Sequence, residues 1–266
     1  PCCFVDIQYK LSCCVEELTQ PASIDAIGGA PASQRSCRVR RSKIILIAVV
    51  LAAVGTVLPI AASLHLSWQR TVDAEQERLD ANAERALRRA ELSYDTAMDA
   101  LRSIALYRFT PCSDDHIAAM RMLVMSTRTI EQMGYFADGQ MRCNAWGRMT
   151  VPVAAPRADF VMDDGARLHF GVHPRGGGPR PLLSIMLGDH DVLMDPSRFV
   201  DVVADRDVQL AIALPDGRLV AQQGIDDPAL LAELLAHPRQ GVDERHFMAY
   251  ARDPHWLAIA LSPRGA

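Results

Sequence analysis

Two cysteines offer the plainest chemistry in this sequence. Cys112 and Cys143 lie beyond the chain's one strongly apolar run, with a helix start and a hairpin signal between them. A bridge joining them would close a loop of about thirty residues and, if unstrained, contribute roughly 3–4 kcal/mol by restricting the unfolded chain. It could be a plain staple or a thiol switch, and spacing alone leaves both open. The other five cysteines, Cys2, Cys3, Cys13, Cys14 and Cys37, precede residue 42. Adjacent pairs are poor chelating spacing and no histidine comes before His65, so zinc is not expected there. His169-x-x-x-His173 would put two imidazoles on one helical face, but the segment reads as a strand, where that spacing is too wide for one metal. Asp189-His190-Asp191 has the composition of a hydrolase dyad, yet between two short strands it reads as a polar turn. Gly176-Gly177-Gly178 lacks the Lys-Ser/Thr and the following helix of a phosphate loop. No Gly-x-Ser-x-Gly elbow occurs, and Ser113 and Ser126 have no recognisable base partner. The sequence assigns no catalytic and no metal-binding residue.

The elements that would position the two thiols are legible. Pro111 breaks what precedes it, Ser113 can cap a helix, and Asp114 and Asp115 load the first turn where the helix dipole favours them. Ile117, Met120, Leu123, Val124, Ile130 and Met133 recur at helical period, predicting a helix through Met133 that Gly134 ends. Asp138-Gly139 reads as a tight turn between two short strands. A bridge would therefore staple the helix start to the second strand of that hairpin. Upstream, Trp68 to Leu106 reads as one long helix, with Val72, Leu79, Ala86, Ala90, Ala97, Leu101 and Ile104 along a stripe. The stripe suits packing on the domain's own sheet; a homodimer seam is the bolder alternative. Downstream, a hairpin turns at Asp164-Gly165, strands cover 182–187 and 192–194, and 196–203 forms a short helix. A second hairpin turns at Pro215-Asp216-Gly217, a helix covers 227–236, and strands over 246–250 and 256–261 close the pattern. Helices first and hairpins after predict an α+β domain with an antiparallel sheet, PAS- or Cache-like by analogy.

From Ile44 to Leu64 there is no charged residue. That length crosses a bilayer core, and Gly55 and Pro59 are tolerated inside a membrane helix. Arg35, Arg38, Arg40, Arg41 and Lys43 crowd the N-terminal side and would hold it in the cytoplasm. A cleaved secretory signal, cut near Ala61-Ala62-Ser63, is the competing reading; the run is longer than a typical signal core. The expected organisation is a disordered cytoplasmic tail over 1–42, a transmembrane helix over 43–66, a periplasmic domain over 67–261 and a truncated end over 262–266. Pro1 in place of methionine suggests a fragment or a processed product. This topology puts the N-terminal cysteines in a reducing compartment and Cys112 and Cys143 in an oxidising one. A formal net charge of −4 does not suggest nucleic acid. Of 28 basic residues only Lys10 and Lys43 are lysine, which reads as codon bias.

Pro111-Cys112-Ser113-x-x-His116, Met120-Arg121, Gly134-Tyr135, Gly139 and Cys143-x-x-Trp146-Gly147 together resemble the CSS-motif domain, the periplasmic input module of membrane-bound EAL-type cyclic di-GMP phosphodiesterases. The family's Cys-Ser-Ser is Cys143-Asn144-Ala145 here, keeping the thiol and losing both hydroxyls. The resemblance implies an inner-membrane protein whose Cys112/Cys143 pair is redox-responsive and meets periplasmic thiol-disulfide oxidoreductases. Pro111, Ser113, His116, Gly134, Tyr135, Gly139, Trp146 and Gly147 would shape the motif, with Trp146 packed beside the bridge and Arg121 and Arg128 solvated. It also implies Mg or Mn only in an EAL catalytic domain. This chain holds neither that signature nor its carboxylates; Ala232-Glu233-Leu234-Leu235 is an ordinary helical tetrad. Two functions follow: a regulatory input to a cyclic di-GMP phosphodiesterase, or an anchored or exported ligand-binding domain with a structural disulfide and no enzymatic partner.

Overall fold

A computed structural model describes residues 34–174 and 179–264, with side chains from Ile45 onward. The expected tail with Cys2, Cys3, Cys13 and Cys14, the side chain of Cys37, the Gly176-Gly177-Gly178 loop and the last two residues lie outside the described residues. Helix α1 spans Gln34–Leu106 and carries Pro59 in its interior. From Ile45 to Leu64 it is apolar on every side and exposed throughout, a stretch long and apolar enough to cross a membrane.

From Leu66 onward the chain packs as one unit. Within it the stripe of α1 is buried as its spacing predicts: Leu79, Ala86, Ala90, Ala97, Leu101 and Ile104 are almost wholly covered, and Val72 is half-buried. The alanines let the backbone approach closely, and the helix lies against sheet rather than offering a free seam over these turns.

Two antiparallel sheets meet that stripe. The first has seven strands: β1 (Ile130–Ala137), β2 (Gln140–Asn144), β3 (Gly147–Ala154), β4 (Phe160–Val161), β5 (Arg167–Val172), β6 (Leu182–Leu187) and β7 (His190–Met194), in the order β3-β2-β1-β7-β6-β5-β4. The second has five: β8 (Gln209–Ala213), β9 (Leu219–Gln223), β10 (Gly241–Val242), β11 (His246–Arg252) and β12 (Leu257–Pro263), in the order β10-β11-β12-β8-β9. Leu168, Leu183, Ile185, Val192 and Met194 of the first sheet and Leu210, Ile212, Ala258 and Ala260 of the second join α1 in one core. The alternate residues of β8 and β12, Ala211, Ala213, Leu257, Ile259 and Leu261, pack on Leu230, Leu231 and Leu234 of helix α3 (Pro228–Ala236). Burial on both faces is why these strands read as continuous apolar runs instead of alternating.

Polar latches fix the register of α1. Gln76 Nε2 donates to Met248 O at 2.9 Å, and the Tyr94 hydroxyl donates to the Asp164 carboxylate at 2.9 Å. Trp256 packs edge-on to Tyr94 at 5.7 Å and against Phe199 of a short 3-10 turn, Pro196–Phe199, at 5.4 Å. The margins of the sheets are modest: β4 and β10 have two residues each, and β3 carries Pro152.

One expected element ends early. Helix α2 covers Asp114–Ser126 and stops where the Thr127 N–H reaches Leu123 O; Ile130 and Met133 belong to β1. A register shift against β7 between Ile130 and Gln132 lets residues three apart face the same core, imitating helical spacing. Gly134 therefore does not end a helix but sits inside a strand.

Candidate functional site

The start of α2 is built by its own sequence. Ser113 Oγ accepts from the His116 N–H at 3.2 Å, and the Ser113 N–H reaches Thr110 O at 3.0 Å, folding the chain back just before the helix. That fold leaves Cys112 at φ +55°, in the left-handed region where a side chain costs about 1–2 kcal/mol. The Cys112 N–H donates to His116 Nδ1 at 3.1 Å. Its sulfur is bonded to that of Cys143, with Cα atoms 5.7 Å apart, so the bridge joins the N-terminus of α2 to β2. Cys143 is fully buried and Cys112 half-buried, so the Cys112 end of the bridge is the less covered of the two. Arg148 of β3 adds a polar clasp, donating to Cys112 O at 3.0 Å and to Asp114 Oδ1 at 2.8 Å. Being exposed, that clasp contributes little beside the covalent bond.

The remaining motif residues are placed around this junction. Asp138 and Gly139 turn the hairpin with φ values of 53° and 70°. Pro111 is exposed and Tyr135 half-buried. Trp146 does not pack beside the bridge: it is 60 % exposed. Asn144 Oδ1 accepts from the N–H groups of Trp146 and Gly147, a side-chain turn that throws the indole outward and puts Ala145 inside. Gly147 opens β3 at φ 152°. Arg121 and Arg128 are exposed as expected, although Arg121 Nε also donates to Ala145 O at 3.0 Å, tying α2 to that turn.

Beside the bridge the structure brings together two histidines that the sequence left apart. His116 Nε2 and His190 Nε2 are 3.0 Å from each other, and the rings pack with Tyr135 at 5.2 and 5.1 Å and with Phe109 at 5.5 Å from His116. Because His116 Nδ1 accepts from Cys112, the neutral ring carries its proton on Nε2 and donates it to His190. A cavity of about 350 Å³ opens here between Tyr107, Phe109, His116, Tyr135, Asp189 and His190. Burial pushes the His116 pKa down; burial, with the neighbouring His116, pushes His190 down to about 4. Both bases titrate lower folded than unfolded, so their stability contribution is complete above about pH 6.5 and is lost as pH falls toward 4. Chemical denaturation at pH 7 and pH 5 is expected to show a histidine-dependent loss of about 1 kcal/mol, solvent screening included. His190→Gln removes the larger, His190 share and leaves the burial effect on His116; an unchanged pH dependence in that variant would refute the pairing.

Asp189-His190-Asp191 is not a polar turn. Gly188, at φ 60°, and Asp189 make the turn; His190 and Asp191 are already in β7. Asp191 is 3 % exposed and faces the side of the sheet away from α1, opposite Gly134 of β1. A Cβ at Gly134 would stand 2.6 Å from Asp191 Oδ1, which explains the glycine in mid-strand. The signal was available: Gly188 marks the turn, which shifts the strand start to His190. His169 is buried with Nδ1 2.9 Å from Arg157 O while His173 is exposed, so that pair is not brought together. Among the described residues no three His, Cys, Asp or Glu side chains group to hold a metal.

With this geometry in view the comparisons are specific. A family model described as "CSS motif domain associated with EAL" matches residues 75–266. The Escherichia coli (strain K12) protein "Probable cyclic di-GMP phosphodiesterase PdeB" is 26% identical over 160 residues, covering 60% of this chain. The chain spans only 31% of that relative's length. Among solved structures, an extracellular ligand binding receptor from Desulfohalobium retbaense DSM5692 aligns over 69% of this chain and 39% of its own, at 14% identity and a TM-score of 0.38, too slight to argue from.

Proposed function

Because the chain belongs to the family of CSS-motif domains associated with EAL, we propose that it is the membrane anchor and periplasmic sensory region of a cyclic di-GMP phosphodiesterase, set by the oxidation state of Cys112 and Cys143. The observation that carries this reading is the bridge itself. It pins a half-buried cysteine, held in left-handed backbone at the start of α2, to a fully buried one on β2. Backbone strain at such a junction is a reason to look for a switch. Periplasmic thiol-disulfide oxidoreductases are the fitting partners. A thiolate of such a dithiol attacks the Cys112 sulfur, and the Cys143 sulfur leaves with the electron pair and takes a proton. The partner's second thiol then resolves the mixed disulfide, leaving two cysteine thiols here and a disulfide in the partner. Cys112 is then free to leave the left-handed region, and its N–H bond to His116 loosens with it. The core that holds Cys143 also holds the buried stripe of α1, the element that receives the change.

The orientation rests on the basic cluster Arg35, Arg38, Arg40, Arg41 and Lys43 before the apolar segment, which favours a cytoplasmic N-terminus. A reporter fused at residue 110 is expected to be active only in its periplasm-dependent form. In the full-length protein, Cys112→Ser and Cys143→Ser are both expected to shift cyclic di-GMP turnover in membrane vesicles, at equal protein abundance and in the direction produced by dithiol reductant. Turnover unchanged in both variants would reduce the bridge to a staple.

A further inference from the structure

The face of the seven-stranded sheet that looks away from α1 holds a cavity of about 300 Å³. Its walls are apolar, with Phe136, Met141, Met149, Val153 and Leu193 among them, and Asp191 and Ser184 form part of its polar lining. Asp191 sits on an inner strand, next to Gly134 of β1 and Met186 of β6. Ser184, itself 2 % exposed, donates from Oγ to Asp191 Oδ2 at 3.1 Å. No group among the described residues makes a well-aligned hydrogen bond to Asp191 Oδ1, although the backbone N–H groups of Gly134 and Asp191 lie near the carboxylate. A buried carboxylate oxygen left without a donor costs several kcal/mol, and a fold retains such a group where a partner compensates it. Burial pushes this carboxyl up to about 6, against the opposing pull of the Ser184 hydroxyl and the Gly134 and Asp191 backbone N–H groups.

We propose that this cavity binds a small amphipathic ammonium ion, a primary or secondary amine on a short apolar body, whose N–H pairs with the Asp191 carboxylate. The chemistry selects this class over others. An anion would meet the carboxylate with no lysine or arginine among the described lining residues to offset it, His173 being their one basic side chain. A divalent cation needs several oxygen ligands, and one carboxylate with a hydroxyl does not supply them. An uncharged sugar would meet a mostly hydrocarbon wall. The volume suits a body of a few carbons, which lies against Phe136, Met141 and Met149, and the Phe136 ring and the methionine sulfurs add soft contacts to a cation. The absent side chain at Gly134 is part of the site, since it gives Asp191 its room. This binding stands independently of the thiol reading, and the two share β2, whose Asn144 lines the cavity beside Cys143.

The test uses the full chain in nonionic detergent, titrated with n-butylammonium, 1-butanol and butyrate and followed by calorimetry and thermal unfolding. Butylammonium is expected to bind and raise the unfolding temperature; the alcohol and the carboxylate are expected to do neither. Asp191→Asn, which removes the charge and keeps the shape, is expected to weaken butylammonium by at least tenfold while leaving the ligand-free protein as stable as wild type or more so. Val153→Trp, which fills the cavity from β3 without touching Asp191, is expected to abolish binding too. If no alkylammonium from ethyl to hexyl binds at millimolar concentration, or if Asp191→Asn responds as wild type does, the proposal is overturned; the second outcome assigns the effect to the micelle.

Discussion

Cys143→Ser lowers the unfolding free energy of the oxidised domain by about 5 kcal/mol, and Cys112→Ser by about 3.5–4 kcal/mol. The larger share is common to both: breaking a bridge between residues 31 apart restores loop freedom to the unfolded chain, a contribution of roughly 3.7 kcal/mol by chain-entropy arithmetic. The difference comes from what is left behind. Cys143 is wholly buried in the core with Ile117, Met120 and Met133, so a serine there buries a hydroxyl among hydrocarbons. A serine at half-buried Cys112 keeps access to water. Cys143→Ala should therefore fall to the Cys112→Ser value, and the double variant should cost no more than the costlier single one, because the bridge can be broken only once. Urea denaturation followed by tryptophan emission measures all four. Wild type treated with reductant is expected to match Cys112→Ser; equal stability of wild type and Cys112→Ser without reductant would show that the bridge adds nothing.

Gly134→Ala is expected to cost about 2 kcal/mol, well above an ordinary surface change. The new methyl meets Asp191 Oδ1 at 2.6 Å and the Met141 terminal methyl at 3.0 Å. Methionine yields readily, but the carboxylate is held on its other oxygen by Ser184. The cost should shrink to under about 1 kcal/mol in an Asp191→Ala background, since the collision partner is gone. A glycine present only as a weak strand breaker would show the reverse: alanine there would stabilise by lowering the entropy of the unfolded chain.

Local chemistry was legible wherever it was unambiguous. Ser113 with Asp114 and Asp115 announces a helix start, and Asp138-Gly139, Asp164-Gly165 and Pro215-Asp216-Gly217 each mark a turn that the structure contains. The stripe of α1 reads correctly because leucines and alanines recur there at one period over many turns. The misreadings have a common origin in short irregularities. The shifted pairing at Ile130 gave β1 a helix-like spacing, and the Asn144 side-chain turn reversed the direction of Trp146. The His116–His190 contact depends on β7 lying beside β1, a pairing across more than fifty residues that no local pattern encodes. Asp191 was hidden for the same reason: a carboxylate in a polar tripeptide looks solvated until long-range pairing puts it in mid-sheet. That β-structure divides into two sheets around one helix was equally out of reach of periodicity.

The modest margins of the sheets bear on how these molecules behave when crowded. Pro152 offers no N–H to a neighbouring chain, and β4 and β10 are too short to template one. Three of the four sheet ends among the described residues thus lack a long, fully hydrogen-bonding border, which disfavours fibrous growth by strand addition between crowded copies.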